Sequence, residues 1–384
     1  MTALYPPERL TQVAEAVRDR GLSALLLTPG PDLRYVTGYD AHQMERLTCL
    51  VVPADADPFL VVPRLELKAA QASPAGGLGA EIVAWEENED AFGIIRDRLS
   101  GAESPGLPET LGLPGTLGSP GTLGLSDRMW ALNVLRFAAT FPGARQVLAS
   151  TVLADLRIRK SAAEVAALRE AGAAIDRVHA KVPGWLRAGV TEREVGAKIA
   201  EAILAEGHVS VDFTIVGSGP NAASPHHEVS DRVLLAGDVV VVDIGGTMPS
   251  GYCSDCTRTY AIGTPPAEFT SYYEVLHAAQ DAGVRAARPG ATAESVDKAA
   301  RDVIDAAGYG EWFIHRTGHG IGLETHEDPY IVSGNPTPLA PGMAFSVEPG
   351  IYPGPHGARI EDIVVCTETG PERLNNAPRD LVIV

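Results

Sequence analysis

Five side chains able to bind metal ions lie in the C-terminal part of this 384-residue chain, within apolar or glycine-containing stretches. Burying a charged group there is unfavourable unless a cation or hydrogen-bond partner compensates it, so the fold must bring partners to these positions. Four of the five are carboxylates and one is an imidazole, a mixture that suits Mn, Co or Zn. Together they predict a site for two divalent ions, which is typical of hydrolytic chemistry. The residues are Asp243, Asp255, His319, Glu348 and Glu361.

Asp243 and Asp255 are predicted to lie on the two strands of one hairpin. Four consecutive valines, residues 239–242, lead into Asp243, and Asp255 follows a connection that contains glycines. A single aspartate at a strand end is commonly a turn residue. Two neighbouring aspartates can both be ionised only if cations lie between them, so the pair favours a metal site.

The other three candidates also stand in informative contexts. Glycines at 318, 320 and 322 flank His319 and would allow a metal ion or ligand to approach closely, although a surface histidine is the alternative. Glu348 follows an apolar, strand-like run and needs a compensating partner if it is buried. Arg359 and Glu361 are two positions apart, so they face the same side of a predicted strand.

The N-terminal part of the chain, residues 1–143, has the pattern of an α/β domain. An amphipathic helix is predicted over 7–20. Residues 107–124 are three similar hexapeptides rich in proline and glycine, which we interpret as a repeat-expanded surface loop with no assigned function. Apolar strand patterns occur near 24–27, 47–52 and 59–62.

A second domain is predicted over 161–384, after a linker at 144–160. It repeats itself weakly, because the segment 187–207 resembles 288–308 at an offset of 101 positions. We therefore predict an internal duplication with a pseudo-two-fold relation, in which His319 has no counterpart. At a similar offset the paired polar residues are His226 with His326, Asp243 with Glu348, and Asp255 with Glu361.

Composition excludes several classes of protein. A formal net charge of -18 argues against nucleic acid or an anionic membrane as partner. Four cysteines do not suggest a disulfide framework in a chain of this length. No apolar segment is long enough for a membrane span, and residues 1–10 have no signal-peptide pattern. We therefore expect a cytoplasmic α/β (α+β) enzyme.

Five short motifs, in this order, closely resemble those of the pita-bread metallopeptidases, which include methionine aminopeptidase, aminopeptidase P and prolidase. This resemblance covers about 160–384, and the N-terminal part resembles the creatinase-type domain of prolidases and aminopeptidases P. It implies a creatinase-type domain followed by a pita-bread catalytic domain, commonly as a homodimer. The motifs are Asp-Ile-Gly-Gly at 243–246, Ser-Asp-Cys-Thr-Arg at 254–258, Thr-Gly-His-Gly-Ile-Gly at 317–322, Val-Glu-Pro-Gly at 347–350 and Arg-Ile-Glu-Asp at 359–362.

The same resemblance implies roles for individual residues. Glu348 would also transfer the proton of the attacking water. His226 and His326 would hydrogen-bond the peptide and stabilise the tetrahedral intermediate. Arg359 would orient carboxylates rather than contact substrate. The implied metal ligands are Asp243 for one ion, His319 and Glu348 for the other, and Asp255 and Glu361 for both.

Three neighbouring features receive less weight. His315 is a weaker pocket candidate, and His227 is interpreted as a neighbour of His226 without a role of its own. Cys253 and Cys256 form a Cys-x-x-Cys pattern that could bind zinc or undergo redox chemistry. We disfavour that interpretation because there is no second cysteine pair and the pattern lies within the predicted metal hairpin.

Two departures from the family pattern bear on function. Asp243 and Asp255 are twelve positions apart, one more than expected, which we attribute to a longer hairpin loop at 248–250. A shifted register would turn Asp255 away from the metals. Tyr330 stands where prolidases often carry an arginine that binds the carboxylate of a dipeptide, a group that favours a charged partner.

The leading hypothesis is dinuclear hydrolysis of the bond before proline, as an Xaa-Pro dipeptidase (prolidase). Two divalent ions per chain are expected, with Mn favoured and Co, Zn or Fe possible. The substrate would be a proline-containing dipeptide or oligopeptide. Tyr330 favours the alternative, an aminopeptidase P that acts on longer peptides. A creatinase-like or non-catalytic protein of the same fold is disfavoured because all five ligands are present.

Overall fold

A computed structural model describes residues 4–100 and 121–384. The chain divides into two compact units, Met1–Arg157 and Ile158–Val384. Of the predicted loop, residues 107–120 lie outside the described part of the chain. No helix within the described ranges is both long and apolar enough to cross a membrane.

The first unit contains a mixed sheet with the strand order β4-β3-β2-β1-β5-β6. Antiparallel pairing joins β1 to β2 and β2 to β3, and the remaining neighbours are parallel. These strands are β1 (Ala24–Leu27), β2 (Cys49–Pro53), β3 (Phe59–Pro63), β4 (Glu81–Trp85), β5 (Thr122–Leu125) and β6 (Arg145–Leu148). The helices are α1 (Glu8–Asp19), α2 (Pro31–Thr37), α3 (Leu67–Ala72), α4 (Ala91–Leu99), α5 (Ala131–Thr140) and α6 (Ser150–Arg157).

Several sequence predictions for this unit agree with the structure. Helix α1 buries Leu10, Val13 and Val17 along one face, as its amphipathic pattern requires. The apolar segments near 24–27, 47–52 and 59–62 form the buried strands β1, β2 and β3.

Two predicted ranges differ from what the structure contains. Residues 122–124, the end of the predicted surface loop, begin strand β5, because Leu123 is buried in the sheet core. Within 144–160, where we predicted a linker, β6 pairs with β5 and α6 buries Val152 and Leu153. Most of that range therefore belongs to the first unit.

The second unit contains two larger sheets, with the orders β17-β9-β8-β7 and β11-β10-β12-β15-β16, and a small β13-β14 ladder. The helices are α7 (Ala162–His179), α8 (Glu192–Ala205), α9 (Ala267–Ala286) and α10 (Ala293–Ala306). The strands are β7 (Ser210–Ser218), β8 (Val239–Thr247), β9 (Cys253–Ala261), β10 (Gly318–Gly320), β11 (Glu327–Ile331), β12 (Ala344–Val347), β13 (Gly350–Ile351), β14 (Ala358–Arg359), β15 (Asp362–Thr367), β16 (Gly370–Arg373) and β17 (Val382–Ile383).

The predicted internal duplication is visible in the backbone of this unit. The first half runs from α7 to β9 and the second half from α9 to β16, and each begins with two helices that precede its sheet. Strands β7-β8-β9 are adjacent in one sheet, and β10-β12-β15 are adjacent in the other. The residue that caps the second helix of each half also makes an equivalent backbone bridge: Thr191 pairs with Val233, and Thr292 with Pro338.

Candidate active site

The predicted hairpin is formed by β8 and β9. The two strands pair antiparallel without a register shift, with Asp243 opposite Thr257 and Gly245 opposite Asp255. Because side chains alternate along a strand, Asp243 and Asp255 point to the same face as diagonal neighbours. The longer loop, residues 248–252, therefore leaves both aspartates on one side, as we predicted.

The second half supplies the other candidates from shorter strands. His319 is the central residue of β10, and Glu348 directly follows β12. Glu361 lies between β14 and β15. The Glu348 backbone N–H donates to the carbonyl of Thr317, 2.8 Å away, which fixes the strand end that carries its carboxylate.

The glycines around His319 have a packing role that we did not predict. A Cβ at Gly318 would lie 1.9 Å from the backbone oxygen of Ser346, and a Cβ at Gly320 would lie 2.2 Å from that of Asp328. No side chain fits at these separations, so glycine is required for neighbouring strands to pack around His319.

Three of the predicted metal ligands form a tight buried group. The ligand atoms of Asp255, His319 and Glu361 all lie within 4.8 Å of one another. His319 Nε2 is 3.7 Å from Asp255 Oδ2, and the hydroxyl of Thr257 donates to Glu361 Oε2 over 2.8 Å.

The other two carboxylates each lie beside a nitrogen-containing side chain. Glu348 Oε1 is 3.1 Å from His319 Nε2 and also accepts a hydrogen bond from the hydroxyl of Ser346. Arg359 donates to Asp243 Oδ2 over 2.6 Å. The structure thus brings all five predicted ligands to one place, with Asp243 and Glu348 at the edge of the tight group.

The electrostatics of these carboxylates follow from their partners. Burial and the charge of the neighbouring Glu361 raise the pKa of Asp255 well above its usual range. Burial, with the charges of Glu348 and Asp243, likewise raises the pKa of Glu361. Burial acts the same way on Glu348, but its hydrogen bond to His319 and the charge of that histidine outweigh it and lower the pKa to about 2.

The donor set fits divalent metal ions. Asp243 Oδ1 is buried and has no hydrogen-bond partner among the described residues, which is costly for a carboxylate oxygen. Asp255 and Glu361 repel each other when both are ionised. Cations among these oxygens would remove both costs, and carboxylates with one imidazole suit Mn, Co, Zn or Fe.

These ligands open onto a cavity of about 1000 Å³. The predicted substrate residues His226 and His326 line it, and so does His315, whose Nε2 is 3.0 Å from the hydroxyl of Tyr352. Partial desolvation, helped by the nearby His319, lowers the pKa of His326 to about 4, so this imidazole is neutral at pH 7. All predicted site residues therefore contribute to a single cavity.

Sequence reasoning missed the carboxylate that anchors the His226 loop. Glu192, at the start of α8, is fully buried and its hydrogen bonds hold its pKa below the usual value despite burial. His227, for which we predicted no role, places Nε2 2.8 Å from Glu192 Oε2. The position of Glu192 in the first turn of a predicted helix was the only feature of the sequence that could have pointed to this role. The other donors to Glu192 are the backbone and hydroxyl groups of Ser218 and Ser230 and the amide of Asn221.

A second missed contact anchors the neighbourhood of His326. Lys160 Nζ lies 2.7 Å from Glu327 Oε1, and both side chains are buried. Glu327 directly follows His326 at the start of β11. His226 and His326 are therefore each followed by a residue whose side chain contacts a buried partner, Glu192 and Lys160 respectively.

Both units match the models of known protein families. Residues 166–368 match the model of "Metallopeptidase family M24", and residues 9–159 match that of the "Creatinase/Prolidase N-terminal domain". The fold and the site thus define a two-domain metallopeptidase with the pita-bread catalytic architecture, as the resemblance implied.

Individual relatives agree with that class. The chain is 52% identical to a "Probable dipeptidase PepE" of Mycobacterium tuberculosis, over 98% of this chain and 96% of the relative. It is 37% identical to the "Xaa-Pro dipeptidase" of Lactobacillus helveticus, over 92% of each chain. The crystal structure of dipeptidase PepE from Mycobacterium ulcerans superposes with a TM-score of 0.88 at 52% identity, covering 98% of this chain and 97% of that one. This chain belongs to metallopeptidase family M24.

Proposed function

We propose that this protein hydrolyses the peptide bond before proline in dipeptides, as an Xaa-Pro dipeptidase. One observation carries the proposal: five potential metal ligands and two histidines converge on one cavity in a chain whose relatives are named dipeptidases. The second unit, which includes the predicted catalytic range 161–384, holds all of these residues.

The five carboxylate and imidazole ligands would hold two divalent ions. Asp243 would bind one ion, His319 and Glu348 the other, and Asp255 and Glu361 both. The ions would supply an activated water and polarise the scissile carbonyl. We propose Mn as the physiological metal, with Co, Zn or Fe as alternatives, because oxygen-rich ligand sets accept all of them.

The protein's own groups would position the substrate and move the proton. Glu348 is ionised throughout the neutral range and could accept a proton from the water and deliver it to the leaving nitrogen. His226 and His326 would hydrogen-bond the peptide and stabilise charge on its carbonyl oxygen. Arg359 would orient Asp243, which it contacts directly.

Selectivity for proline requires a dedicated site. The bond before proline is a tertiary amide without an N–H, so an enzyme cannot hold it through that donor. Cavity groups must therefore recognise the rest of the peptide. A partly open cavity of about 1000 Å³ is large enough for a small ligand and is consistent with a dipeptide.

An aminopeptidase P that prefers longer peptides is the second candidate, and one observation favours it. Tyr330 occupies the position at which prolidases often carry a carboxylate-binding arginine. A substrate that continues beyond proline would need no cation at that point.

We also infer a cytoplasmic homodimer. All four cysteines are free and buried, which is consistent with a reducing compartment. The dimer rests on the family resemblance alone, and light scattering of the purified protein would test it.

The deciding experiment compares Ala-Pro with Ala-Pro-Ala-Ala as substrates of the Mn-loaded protein, with a chelator-treated control. Preferential cleavage of the dipeptide supports the dipeptidase. Preference for the tetrapeptide supports the aminopeptidase. Inactivity on both, with two metal ions bound by elemental analysis, would contradict proline-specific hydrolysis.

A further inference from the structure

Arg316 lies in the cavity and stacks on the residue that takes the place of the missing arginine. It lines the cavity together with His326, and its guanidinium carbon lies 4.4 Å from the centroid of the Tyr330 ring. The pairing of β10 with β11, with Gly318 opposite Ile331, brings the two segments side by side. Position 316 thus places a positive charge over the side chain at position 330.

Within the described part of the chain, the hydrogen-bonding capacity of the Arg316 guanidinium is not used. Among the described residues, its guanidinium makes no hydrogen bond and no ion pair. Stacking on an aromatic ring occupies one face of the guanidinium and leaves the N–H groups at its edge free to bind an acceptor.

Arg359, the other arginine of the cavity lining, already uses four of its five guanidinium N–H groups. Its guanidinium donates to Asp243, to the hydroxyls of Tyr352 and Thr257, and to the backbone oxygen of Pro225. Arg359 therefore cannot bind a substrate anion without losing these contacts. Within the described part of the cavity wall, Arg316 is the arginine whose guanidinium donates no hydrogen bond.

A dipeptide that ends in proline carries a carboxylate one bond beyond the proline ring. That anion must be bound in a cavity whose wall already contains several acidic side chains. A planar guanidinium can bind a carboxylate through two parallel hydrogen bonds, which gives both affinity and a fixed orientation.

We propose that Arg316 binds the C-terminal carboxylate of the substrate's proline and thereby selects dipeptides. The inference rests on the proposed function and names the group that would decide between dipeptides and longer peptides. Tyr330 then has a supporting role, because its ring holds the Arg316 guanidinium in place. The positive charge expected at position 330 is supplied from position 316 instead.

Substrates with and without the charge test this assignment. Arg316→Gln should lower kcat/KM for Ala-Pro by about 10- to 100-fold, the worth of a charge-assisted hydrogen bond. For Ala-prolinamide, which lacks the carboxylate, the change should stay below about threefold. Arg285→Gln is the control, since Arg285 is exposed on α9, and it should behave as the unmodified protein. Equal losses on both substrates, or no loss on Ala-Pro, would overturn the inference.

A relocated arginine provides a second variant. Because the Arg316 guanidinium lies over the ring of Tyr330, an arginine at 330 can bring its own guanidinium to the same region. In the double variant R316Q/Y330R, kcat/KM for Ala-Pro should be at least tenfold higher than in R316Q. Failure to recover, with the protein folded and metal bound, would count against a carboxylate site at this position.

Binding of L-proline and L-prolinamide, measured by calorimetry, separates the inference from the proposed function. The metal-loaded protein should bind proline at least about tenfold more tightly than prolinamide, and R316Q should lose this preference. That result without peptide cleavage would contradict the proposed function and support the carboxylate site. Cleavage of Ala-Pro with no preference for proline over prolinamide would contradict the carboxylate site and leave the proposed function standing.

Discussion

The two halves of the second unit deliver similar residues to one cavity but compensate their charges differently. Asp243 and Glu348, which correspond to each other, each have a nitrogen partner, Arg359 and His319 respectively. Asp255 and Glu361 also correspond, yet each has the other carboxylate as a close neighbour. Negative charge is therefore least compensated between the halves, which is where a shared pair of cations would stabilise the structure most.

The halves also differ in how they hold their cavity histidines. In the first half, Glu192 gathers donors from three parts of the chain and fixes the loop that carries His226. In the second half, the buried pair of Lys160 with Glu327 holds the residue after His326. The two histidines that we predicted to be counterparts are thus supported by different contacts.

The largest expected effect comes from removing a carboxylate between the halves. Glu361→Gln should lower kcat/KM for Ala-Pro by more than about a hundredfold, beyond the 10- to 100-fold typical of residues that only support a metal ligand. Bound metal should fall below two ions per chain by elemental analysis. Glu368→Gln, an exposed control on the same segment, should leave both values unchanged. Full metal content in E361Q would remove Glu361 from the ligand set.

The anchor of the first half should have the next largest effect. Glu192→Gln removes the charge that organises the His226 loop, so kcat/KM should fall by about 10- to 100-fold, since small displacements of positioning groups are costly. Metal content should stay at its original value, which separates this variant from E361Q. The control is Glu201→Gln, an exposed position on α8. Unchanged activity in E192Q would mean that the loop holds His226 without this anchor.

A smaller effect is expected from the anchor of the second half. Lys160→Met removes the ammonium that contacts the buried Glu327 carboxylate, which should lower stability and reduce kcat/KM by about three- to tenfold. K160M/E327Q should regain part of the stability, because the buried negative charge is then removed as well. Lys198→Met, at an exposed position, serves as control. If K160M reduced activity more than E192Q, the proposed ranking of the two anchors would be wrong.

The smallest effect concerns pH and the metal-free protein. The raised pKa values of Asp255 and Glu361 mean that the folded state binds more protons than the unfolded state above the ordinary carboxyl pKa. Their contribution to stability is therefore present at low pH and declines as pH rises through the raised values. Urea unfolding in a chelator at pH 5 and pH 8 should show this decline, and D255N/E361Q should reduce it. An equal decline in the double variant would assign the effect to other groups.

The amino-acid sequence determined the elements whose causes are local. The valine run before Asp243 and the turn residues after it were enough to predict the β8–β9 hairpin, and period-2 alternation placed Arg359 and Glu361 on one side. Side-chain type and sequence context were enough to nominate five candidate metal ligands. The surface-loop prediction at 122–124 and the linker prediction at 144–160 were wrong for most of their described residues, because burial against distant strands overrides local composition there.

Tertiary structure decided which residues support the site. Lys160 and Glu327 are 167 positions apart, and no local pattern relates them. Glu192 in a first helical turn resembles any capping residue until the fold surrounds it with donors. Arg316 and Tyr330 are related only by the pairing of β10 with β11. The sequence identifies groups that can do chemistry, because this capacity depends on side-chain type. Their partners and the compensation of their charges depend on contacts between distant segments, which only the folded chain brings together.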